Sequence, residues 1–243
     1  MSLPLEGKSA LVTGSSRGIG RAIAERLAAD GAAVVINYAR SKQLADEAVK
    51  AILERGGKAI AIPADVAKPA DVRRLFDEAE KNVGGLDIVV ANAGVFLEKS
   101  LAESSEEDYD YVFDINTKGV FFTLQEAARR IRDGGHIVAV STGGTKMSFA
   151  NASLYLGSKG AIEQFVRVLS RELGSRNITA NVLSPGFTET DMLPEQYRVS
   201  GASLSPFNRV GTAKEVADVA AFLASDEARW VTGQNVQAGG GVV

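Results

Sequence analysis

The order of strand, glycine-rich turn and helix near the N-terminus constrains the fold of this chain more than any other feature. Residues 8–13 (KSALVT) form a short apolar run suited to a buried parallel strand, and residues 19–30 (IGRAIAERLAAD) carry apolar side chains at helical spacing. The turn between them contains Gly14, Gly18 and Gly20. A strand that leads through such a turn into a helix is the start of a β-α-β unit, which favours an α/β fold with a parallel sheet.

The glycine turn also predicts a binding chemistry. Gly14 permits a tight turn, while Gly18 and Gly20 would let the backbone approach a diphosphate on the helix N-terminus, where free amides and the helix dipole favour an anion. An ordinary glycine-rich turn is the alternative, because the spacing is G-x-x-x-G-x-G rather than G-x-G-x-x-G. Since strand and helix flank the turn in the required order, we expect dinucleotide binding. The candidate contacts in the turn are Gly14, Ser16, Arg17, Gly18, Ile19 and Gly20.

The end of the next strand, residues 33–37 (AVVIN), predicts which dinucleotide binds. An acidic residue there would accept the ribose hydroxyls of NAD(H) and repel a 2′-phosphate. The sequence instead continues with Tyr38, an alanine, Arg40 and Ser41. Arg40 and Arg17 could together pair with a phosphate, so NADP(H) is the expected cofactor and NAD(H) the less favoured one. The alternative is that both arginines are solvated surface residues.

The remainder of the chain reads as repeated strand and helix units without an internal sequence repeat. Because helical crossovers imply parallel pairing, we expect a single-domain, Rossmann-type doubly wound sheet of about seven strands with helices on both faces. The expected domain is residues 1–243, with a cofactor half of about 1–140 and a catalytic and substrate half of about 141–243. The other predicted strands are residues 59–63, 86–91, 136–141 and 178–183.

Composition excludes several classes of function. The chain is 45% hydrophobic and 23% charged with a formal net charge of -3, so it lacks the basic field that nucleic acid requires. The absence of cysteine rules out disulfides, thiol catalysis and zinc–thiolate sites, and the sequence shows no metal-binding pattern. The start (MSLPLEGKSALV) lacks a signal-peptide pattern and no apolar stretch reaches membrane-spanning length, so we expect no membrane partner and a cytoplasmic location. The only histidine, His136, is expected at an exposed strand end.

Tyr155 and Lys159 are the strongest candidates for catalysis. They lie four residues apart on a predicted helix, residues 153–173, so their side chains share one face. The Lys159 ammonium would favour the phenolate and lower the pKa of Tyr155, which makes the tyrosine a usable acid towards a carbonyl oxygen. The spacing alone is not specific, because Tyr38 and Lys42 share it, and a surface aromatic beside a solvated lysine is the alternative.

Five ordered motifs make the chain resemble the classical short-chain dehydrogenase/reductase family over nearly its whole length. They are Thr13-Gly14-x-x-x-Gly18-x-Gly20, Asn92-Ala93-Gly94, Asn116, Tyr155-x-x-x-Lys159 and Pro185-Gly186. The resemblance implies that Lys159 also holds the nicotinamide ribose and that Asn116 supports a water leading from the lysine to solvent. It further implies cofactor contacts at the strand ends. These are Asp65, Val66, Asn92, Ala93, Gly94, Pro185, Gly186, Thr188 and Thr190.

One position departs from the family pattern, which usually has serine thirteen residues before the tyrosine. Thr142 stands there, and in the family that hydroxyl hydrogen-bonds the substrate oxygen. Threonine offers the same donor, so we expect Thr142 to act, but the neighbouring Ser141 could substitute after a local shift. The catalytic candidates are therefore Asn116, Thr142, Tyr155 and Lys159.

Together these features predict an NADP(H)-dependent oxidoreductase that transfers hydride between nicotinamide and a ketone or secondary alcohol. The resemblance favours 3-oxoacyl-carrier-protein reductases as the sharper subclass. In that case an acidic carrier would dock on residues 129–132 (RRIR) and Arg176, although this basic run could instead complement the helix dipole. The alternatives are a dinucleotide-sensing protein without turnover and an NAD-dependent sugar, polyol or steroid-type alcohol dehydrogenase.

Two further expectations concern the C-terminal part of the chain. Residues 189–208 (ETDMLPEQYRVSGASLSPFN) have the Pro, Ser and Gly content of a mobile cover over a small-molecule substrate. The tail from Trp230 onwards resembles the tetramer-forming end of the family, so we expect a homotetramer.

Overall fold

Short apolar segments separated by helices build one seven-stranded parallel sheet. The computed structural model describes residues 3–243, so Met1 and Ser2 of the expected domain lie outside the described residues. The strands are β1 (Ser9–Val12), β2 (Ala33–Tyr38), β3 (Lys58–Pro63), β4 (Ile88–Ala91), β5 (His136–Val140), β6 (Thr179–Pro185), β7 (Thr188–Glu189), β8 (Gly211–Thr212) and β9 (Asn235–Ala238). The main sheet has the order β3-β2-β1-β4-β5-β6-β9 with all neighbours parallel, and β7 pairs with β8 separately.

Helices cover both faces of this sheet, which confirms the doubly wound prediction. They are α1 (Gly18–Ala29), α2 (Lys42–Glu54), α3 (Pro69–Val83), α4 (Glu106–Phe113), α5 (Val120–Arg130), α6 (Ser153–Glu172), α7 (Gln196–Leu204) and α8 (Ala213–Leu223). One apolar core joins the sheet to α1, α2 and α8, and a second joins it to α3, α5 and α6. Because both faces are covered, β1 and β4 are buried along their whole length, which explains their continuous apolar sequences.

A π-helical segment, Asp114–Gly119, joins α4 to α5 and carries Asn116. Asn116 is fully buried because its side chain turns towards the loop after β4. Its amide nitrogen donates to the carbonyl oxygen of Val95 at 2.9 Å and to the hydroxyl of Ser158 at 3.0 Å, while its oxygen accepts from the Val95 amide at 2.8 Å. Such bulges often mark functional positions in helices.

His136 differs from the expectation that it is an exposed strand-end residue. Only 5% of it is accessible, because β6 and the turn at Asp226 cover it. Its Nδ1 lies 2.9 Å from the hydroxyl of Thr179, and its Nε2 lies 3.6 Å from Asp226. Burial lowers the pKa of His136, and the Asp226 carboxylate opposes that effect. The side chain is therefore a satisfied core residue at the amino end of the sheet.

The segment predicted to cover the substrate site contains regular structure. Residues 189–208 begin at the end of β7 and include α7, and the chain then enters β8, which pairs with β7. The chain therefore leaves β7, forms α7 and returns to pair beside β7. Within residues 3–243, no helix is long and apolar enough to cross a membrane.

Candidate active site

The carboxyl ends of the strands bring the predicted site residues to one edge of the sheet. The crevice opens between the ends of β1 and β4, where the connections diverge to opposite sides of β1. The glycine turn leaves β1, Asn92 leaves β4, Thr142 leaves β5 and Gly186 leaves β6. Across the residues that the structure describes, no group of three or more histidine or acidic side chains could hold a metal ion.

The turn after β1 has an open helix N-terminus. Gly14 and Gly18 have φ angles of 61° and 57°, a conformation that favours glycine. Arg17 precedes α1 without a side-chain cap, and the first turn of α1 contains no acidic residue. A Cβ on Gly18 would meet only the Thr190 side chain, at 3.7 Å. Uncapped amides beside a cation fit a phosphate group, so the turn suits a dinucleotide.

The turn at Gly20 has no room for a side chain. A Cβ there would collide with the side-chain nitrogen of Asn92 and would lie 2.6 Å from the carbonyl oxygen of Gly14. Helix α1 packs against the turn at this point, so Gly20 is required for close packing and Gly18 for access. The two glycines differ in what surrounds them, which a local pattern does not contain.

Asn92 and Thr13 brace the glycine turn from β4. The Asn92 amide donates to the carbonyl oxygens of Thr13 and Gly14 at 2.9 and 3.1 Å. The Thr13 hydroxyl accepts from the backbone amides of Asn92 and Ala93 at 3.0 and 3.1 Å. A Cβ on Gly14 would lie 2.8 Å from the Ala93 Cα, so the two loops touch. Asn92 and Ala93 therefore shape the turn.

Asn37 braces the same turn from β2, a role that sequence reasoning missed. It is 1% exposed, and its oxygen accepts from the Gly14 amide at 3.1 Å. Its nitrogen donates to the carbonyl oxygen of Ala64 at 3.1 Å. Tyr38 is 8% exposed and packs in the core, unlike the exposed Arg40. A polar residue at the end of an otherwise apolar strand was the available signal for Asn37.

The exits of β2 and β3 enclose a polar pocket of about 320 Å³. Arg40 and Asp65 both line it, and Ser41 follows directly. One Asp65 oxygen accepts from the Ala67 amide at 3.1 Å, which holds the loop. Arg17 does not line this pocket and lies 3.8 Å from Asp191 in the segment after β7. The full lining is Ala39, Arg40, Pro63, Ala64, Asp65, Lys68, Asp71 and Arg74.

Val66 and Gly119 connect the β3 exit with the π-helical segment. Val66 is 6% exposed and belongs to the core. A Cβ on Gly119 would lie 3.0 Å from the carbonyl oxygen of Val66. The bulge that carries Asn116 therefore packs directly on the loop after β3, where cofactor contacts are predicted.

Tyr155 and Lys159 project from one face of α6, as predicted. Lys159 is 4% exposed, its Nζ donates to the carbonyl oxygen of Val140 at 2.9 Å, and burial lowers its pKa to about 8. Desolvation raises the pKa of Tyr155, and interaction with the Thr142 side chain opposes that shift. The expected lowering of the Tyr155 pKa by Lys159 is therefore wrong for the protein alone. Burial dominates because a phenolate would lose its hydration.

The two hydroxyl candidates after β5 point to different partners. The Thr142 side chain interacts with Tyr155 and accepts from the Gly144 amide at 3.1 Å. Ser141 is 3% exposed and donates to the carboxylate of Glu163 at 3.1 Å. Thr142 therefore lies beside the Tyr155 phenol, whereas the Ser141 hydroxyl is hydrogen-bonded to a residue of α6.

Gly94 separates the β4 exit from the lysine. A Cβ at this position would lie 3.1 Å from the Lys159 Nζ and 3.2 Å from the Asn116 Oδ1. Asn116 also bonds to Ser158, the neighbour of Lys159 on α6. The amide, the ammonium and the glycine backbone thus form one contiguous group.

The β6 exit closes the other side of the crevice. Gly186 packs on Gly239, because a Cβ would lie 2.7 Å from the Gly239 Cα. Thr188 is 6% exposed, and its hydroxyl donates to the Gly186 carbonyl oxygen at 3.0 Å. The Thr190 side chain reaches Gly18 in the first turn. The segment from Pro185 to Thr190 therefore spans from β6 to the start of α1.

The basic run at the end of α5 is paired within the chain. Arg129 contacts Glu126, Arg130 contacts Glu126, Asp77 and Glu80, Arg132 contacts Asp87, and Arg176 contacts Asp133. These pairs hold the helix end against its neighbours and leave Arg129 the most exposed of the four, at 60% of its side chain.

Comparisons with known proteins agree with this arrangement. A family model described as enoyl-(acyl carrier protein) reductase matches residues 14–243. An uncharacterized oxidoreductase of Methylorubrum extorquens is 43% identical over 244 residues, which cover 98% of each chain. A short-chain dehydrogenase of Burkholderia cenocepacia solved in complex with NADP is 41% identical, with a TM-score of 0.95 and coverage of 98% and 99%. The angucycline C-6 ketoreductase LanV with bound NADP is also 41% identical, with a TM-score of 0.95 and coverage of 100% and 98%.

The fold and the site define an oxidoreductase with a Rossmann-type nucleotide crevice. More narrowly, the chain belongs to the short-chain dehydrogenase/reductase family, which confirms the resemblance on which the motif assignment rests.

Proposed function

We propose that this enzyme is an NADP(H)-dependent ketoreductase in which Tyr155 exchanges a proton with the substrate oxygen. The observation that carries the proposal is the grouping of Tyr155, Thr142 and Lys159 at the carboxyl edge of the sheet, with the lysine anchored on Val140. The relatives add support, because LanV is named as a ketoreductase.

NADP(H) is the proposed cofactor. The open N-terminus of α1 and the exposed Arg17 suit a diphosphate, and Arg40 lines the pocket at the β2 exit without an acidic residue beside it in sequence. Both solved relatives described above contain NADP. When bound, the nicotinamide supplies or accepts hydride.

Each polar group beside the reacting oxygen has a distinct role in this proposal. The raised pKa keeps Tyr155 protonated at neutral pH, which is the form that donates a proton to a carbonyl oxygen. The Thr142 hydroxyl donates a hydrogen bond to the same oxygen and stabilises the charge that develops there. Lys159 provides a fixed positive charge and binds ribose hydroxyls, while Asn116 positions the backbone around it.

The substrate in this proposal is a free ketone, and a 3-oxoacyl-carrier-protein is the second candidate. The description of the matching family model favours a carrier-bound substrate. Against it, the arginines at the end of α5 are already paired with acidic residues of this chain, which reduces the charge available to a carrier.

We also propose a cytoplasmic homotetramer. Trp230 is 96% exposed, and β9 forms an edge of the sheet, so both have surface available to another copy. Light scattering after gel filtration tests the assembly, and a monomer at micromolar concentration would contradict it.

A panel of free ketones and acyl thioesters, followed by NADPH consumption, tests the function. Tyr155→Phe should lower kcat by about 1,000-fold while leaving the NADPH dissociation constant within about twofold, because only the proton donor is removed. Tyr111→Phe, on the exposed face of α4, is the matched control and should behave as wild type. Tight NADPH binding without any substrate-dependent oxidation would favour the dinucleotide-sensing alternative. Wild-type turnover by Tyr155→Phe would reject the acid assignment.

A further inference from the structure

Aromatic contacts join Tyr155 to the loop after β4, and they join the segments after β5 and β6 to α7. Phe96, in the loop after β4, contacts the Tyr155 ring edge-to-face with centroids 5.0 Å apart and an angle of 84°. Phe149, before α6, contacts Phe187, after β6, at 6.0 Å and 80°. Phe187 in turn lies 6.4 Å from Tyr197 on α7, at 38°. We call Phe96, Phe149, Phe187 and Tyr197 the aromatic wall.

Hydrogen bonds hold the two sides of the aromatic wall together. The Tyr197 hydroxyl donates to one oxygen of Glu98 at 2.6 Å, and the Gln196 side-chain amide donates to the other at 3.2 Å. Glu98 lies two residues after Phe96, so α7 is bonded to the loop that contacts the phenol. This connection joins the β4 exit to α7.

Glycines fix the position of two of these rings. A Cβ on Gly201 would lie 2.5 Å from the Phe187 ring, and a Cβ on Gly144 would lie 3.5 Å from the Phe149 ring. The rings therefore lie close against backbone, which limits their movement. All four members of the aromatic wall are half-buried, so each retains ring surface that a ligand can cover.

We infer that the ketone reduced at this site is part of, or fused to, a planar aromatic ring system. This inference rests on the proposed ketoreductase function. Aromatic pairs gain affinity beyond the burial of their area when they meet in edge-to-face or offset geometry. A flat aromatic substrate can make such contacts with fixed rings, whereas a saturated ring of similar size gains only area burial.

The test compares 2-tetralone with 2-decalone, which have the same bicyclic carbon skeleton and differ by one aromatic ring. The carbonyl is not conjugated with the ring in 2-tetralone, so the intrinsic reactivities of the two ketones are similar. We expect kcat/KM with NADPH to favour 2-tetralone by about tenfold or more, which corresponds to one or two aromatic contacts. Equal values for the two ketones would overturn the inference and leave the ketoreductase function intact.

Variants then assign the preference to the wall. Tyr197→Leu and Phe187→Leu should each lower the ratio of the two kcat/KM values by about threefold or more, whereas Tyr197→Phe keeps the ring and should retain the ratio. Phe222→Leu, on exposed α8 surface, is the matched control. If Phe187→Leu loses cooperative thermal unfolding, Phe149→Leu replaces it. A ratio unchanged in all the wall variants would overturn the assignment.

A binding measurement separates failure of the inference from failure of the function. Calorimetry measures the affinity of both ketones for the wild-type protein loaded with NADP+. A preference for 2-tetralone without NADPH consumption would support the aromatic site and reject the ketoreductase. Equal affinities together with no turnover would reject both.

Discussion

The ammonium of Lys159 donates to the backbone carbonyl oxygen of Val140 at 2.9 Å, which ties α6 to the last residue of β5. Thr142 follows Val140 by two residues, so the same contact sets the distance between the helix and the loop that carries the hydroxyl. The lysine is buried at this position, and its pKa falls to about 8. The Lys159 ammonium, which the proposed mechanism uses, is thus held in place although burial removes its contacts with water.

This pKa predicts that activity declines at alkaline pH. Above pH 8 the free enzyme increasingly holds a neutral amine at Lys159, which loses its electrostatic support for the site. We expect kcat/KM for NADPH to fall with a midpoint near 8, since that parameter reports ionisations of the free enzyme. Initial rates from pH 6 to pH 10 at fixed ionic strength measure it, and a profile that stays level throughout would contradict the requirement for the ammonium.

Removal of the buried charge should stabilise the fold while it inactivates the enzyme. The pKa of Lys159 is lower folded than unfolded, so the unfolded state binds more protons between pH 8 and 10.5 and wild-type stability rises with pH there. At neutral pH, keeping Lys159 charged in the folded state lowers the free energy of unfolding by roughly 3 kcal/mol. Lys159→Met removes this cost, but it also loses one hydrogen bond worth about 1 kcal/mol. We expect a net gain of about 2 kcal/mol in the free energy of unfolding at pH 7 by urea denaturation. A loss of stability in this variant would show that the site does not strain the fold.

Gly94→Ala should impair catalysis more than folding. The new Cβ would lie 3.1 Å from the Lys159 Nζ and 3.2 Å from the Asn116 Oδ1, so one of these groups must move. We expect kcat to fall by about tenfold or more, because displaced catalytic groups lose alignment. Gly160→Ala is the control, since a Cβ there meets nothing within 4 Å, and it should retain wild-type kcat. Similar kinetics for both variants would reject the packing argument.

Turnover should require the hydroxyl of Thr142 but not the hydroxyl of Ser141. Thr142→Val keeps the shape and removes the donor, so we expect kcat to fall by about 100-fold, as when one donor to a developing oxyanion is lost. Thr142→Ser should stay within about threefold of wild type, because it restores that donor. Ser141→Ala leaves the group beside Tyr155 in place and should affect stability more than kcat. A larger kcat loss for Ser141→Ala than for Thr142→Val would reverse the assignment.

Arg40→Ala should weaken NADPH far more than NADH. The guanidinium at the β2 exit would pair with the 2′-phosphate, which NADH lacks, so we expect about a tenfold or larger loss of affinity for NADPH only. Arg55→Ala, which removes a surface pair with Glu25, controls for the loss of positive charge. Titration of both nucleotides by fluorescence measures the effect. Equal losses for the two nucleotides would reject the phosphate contact.

The sheet and the helix that carries Tyr155 and Lys159 could be predicted because their signals are local. Residues 153–173 were expected to be helical, and α6 spans Ser153–Glu172. Residues 33–37 were expected as a strand, and β2 spans Ala33–Tyr38. Apolar runs between helical segments specify parallel strands covered on both faces. Since carboxyl ends of such strands meet at one edge, the grouping of the site residues follows from the same pattern.

What the sequence could not specify are properties that depend on distant neighbours. Gly20 and Gly18 look equivalent in sequence, but only Gly20 packs against Asn92. His136 is covered by Thr179 and the turn at Asp226, which the β5 sequence does not contain. The sign of the Tyr155 pKa shift likewise depends on how much of the phenol the fold buries.

The two asparagine amides that brace the glycine turn limit how this enzyme can be redesigned. Asn37 and Asn92 bind Gly14 from different strand ends, so neither can be exchanged without releasing the turn. A transplant meant to reverse nucleotide preference should therefore begin after Asn37 and replace only residues 39–41, which lie outside this brace. The segment proposed to select the nucleotide can therefore be exchanged on its own, whereas the glycine turn depends on contacts from two other strands.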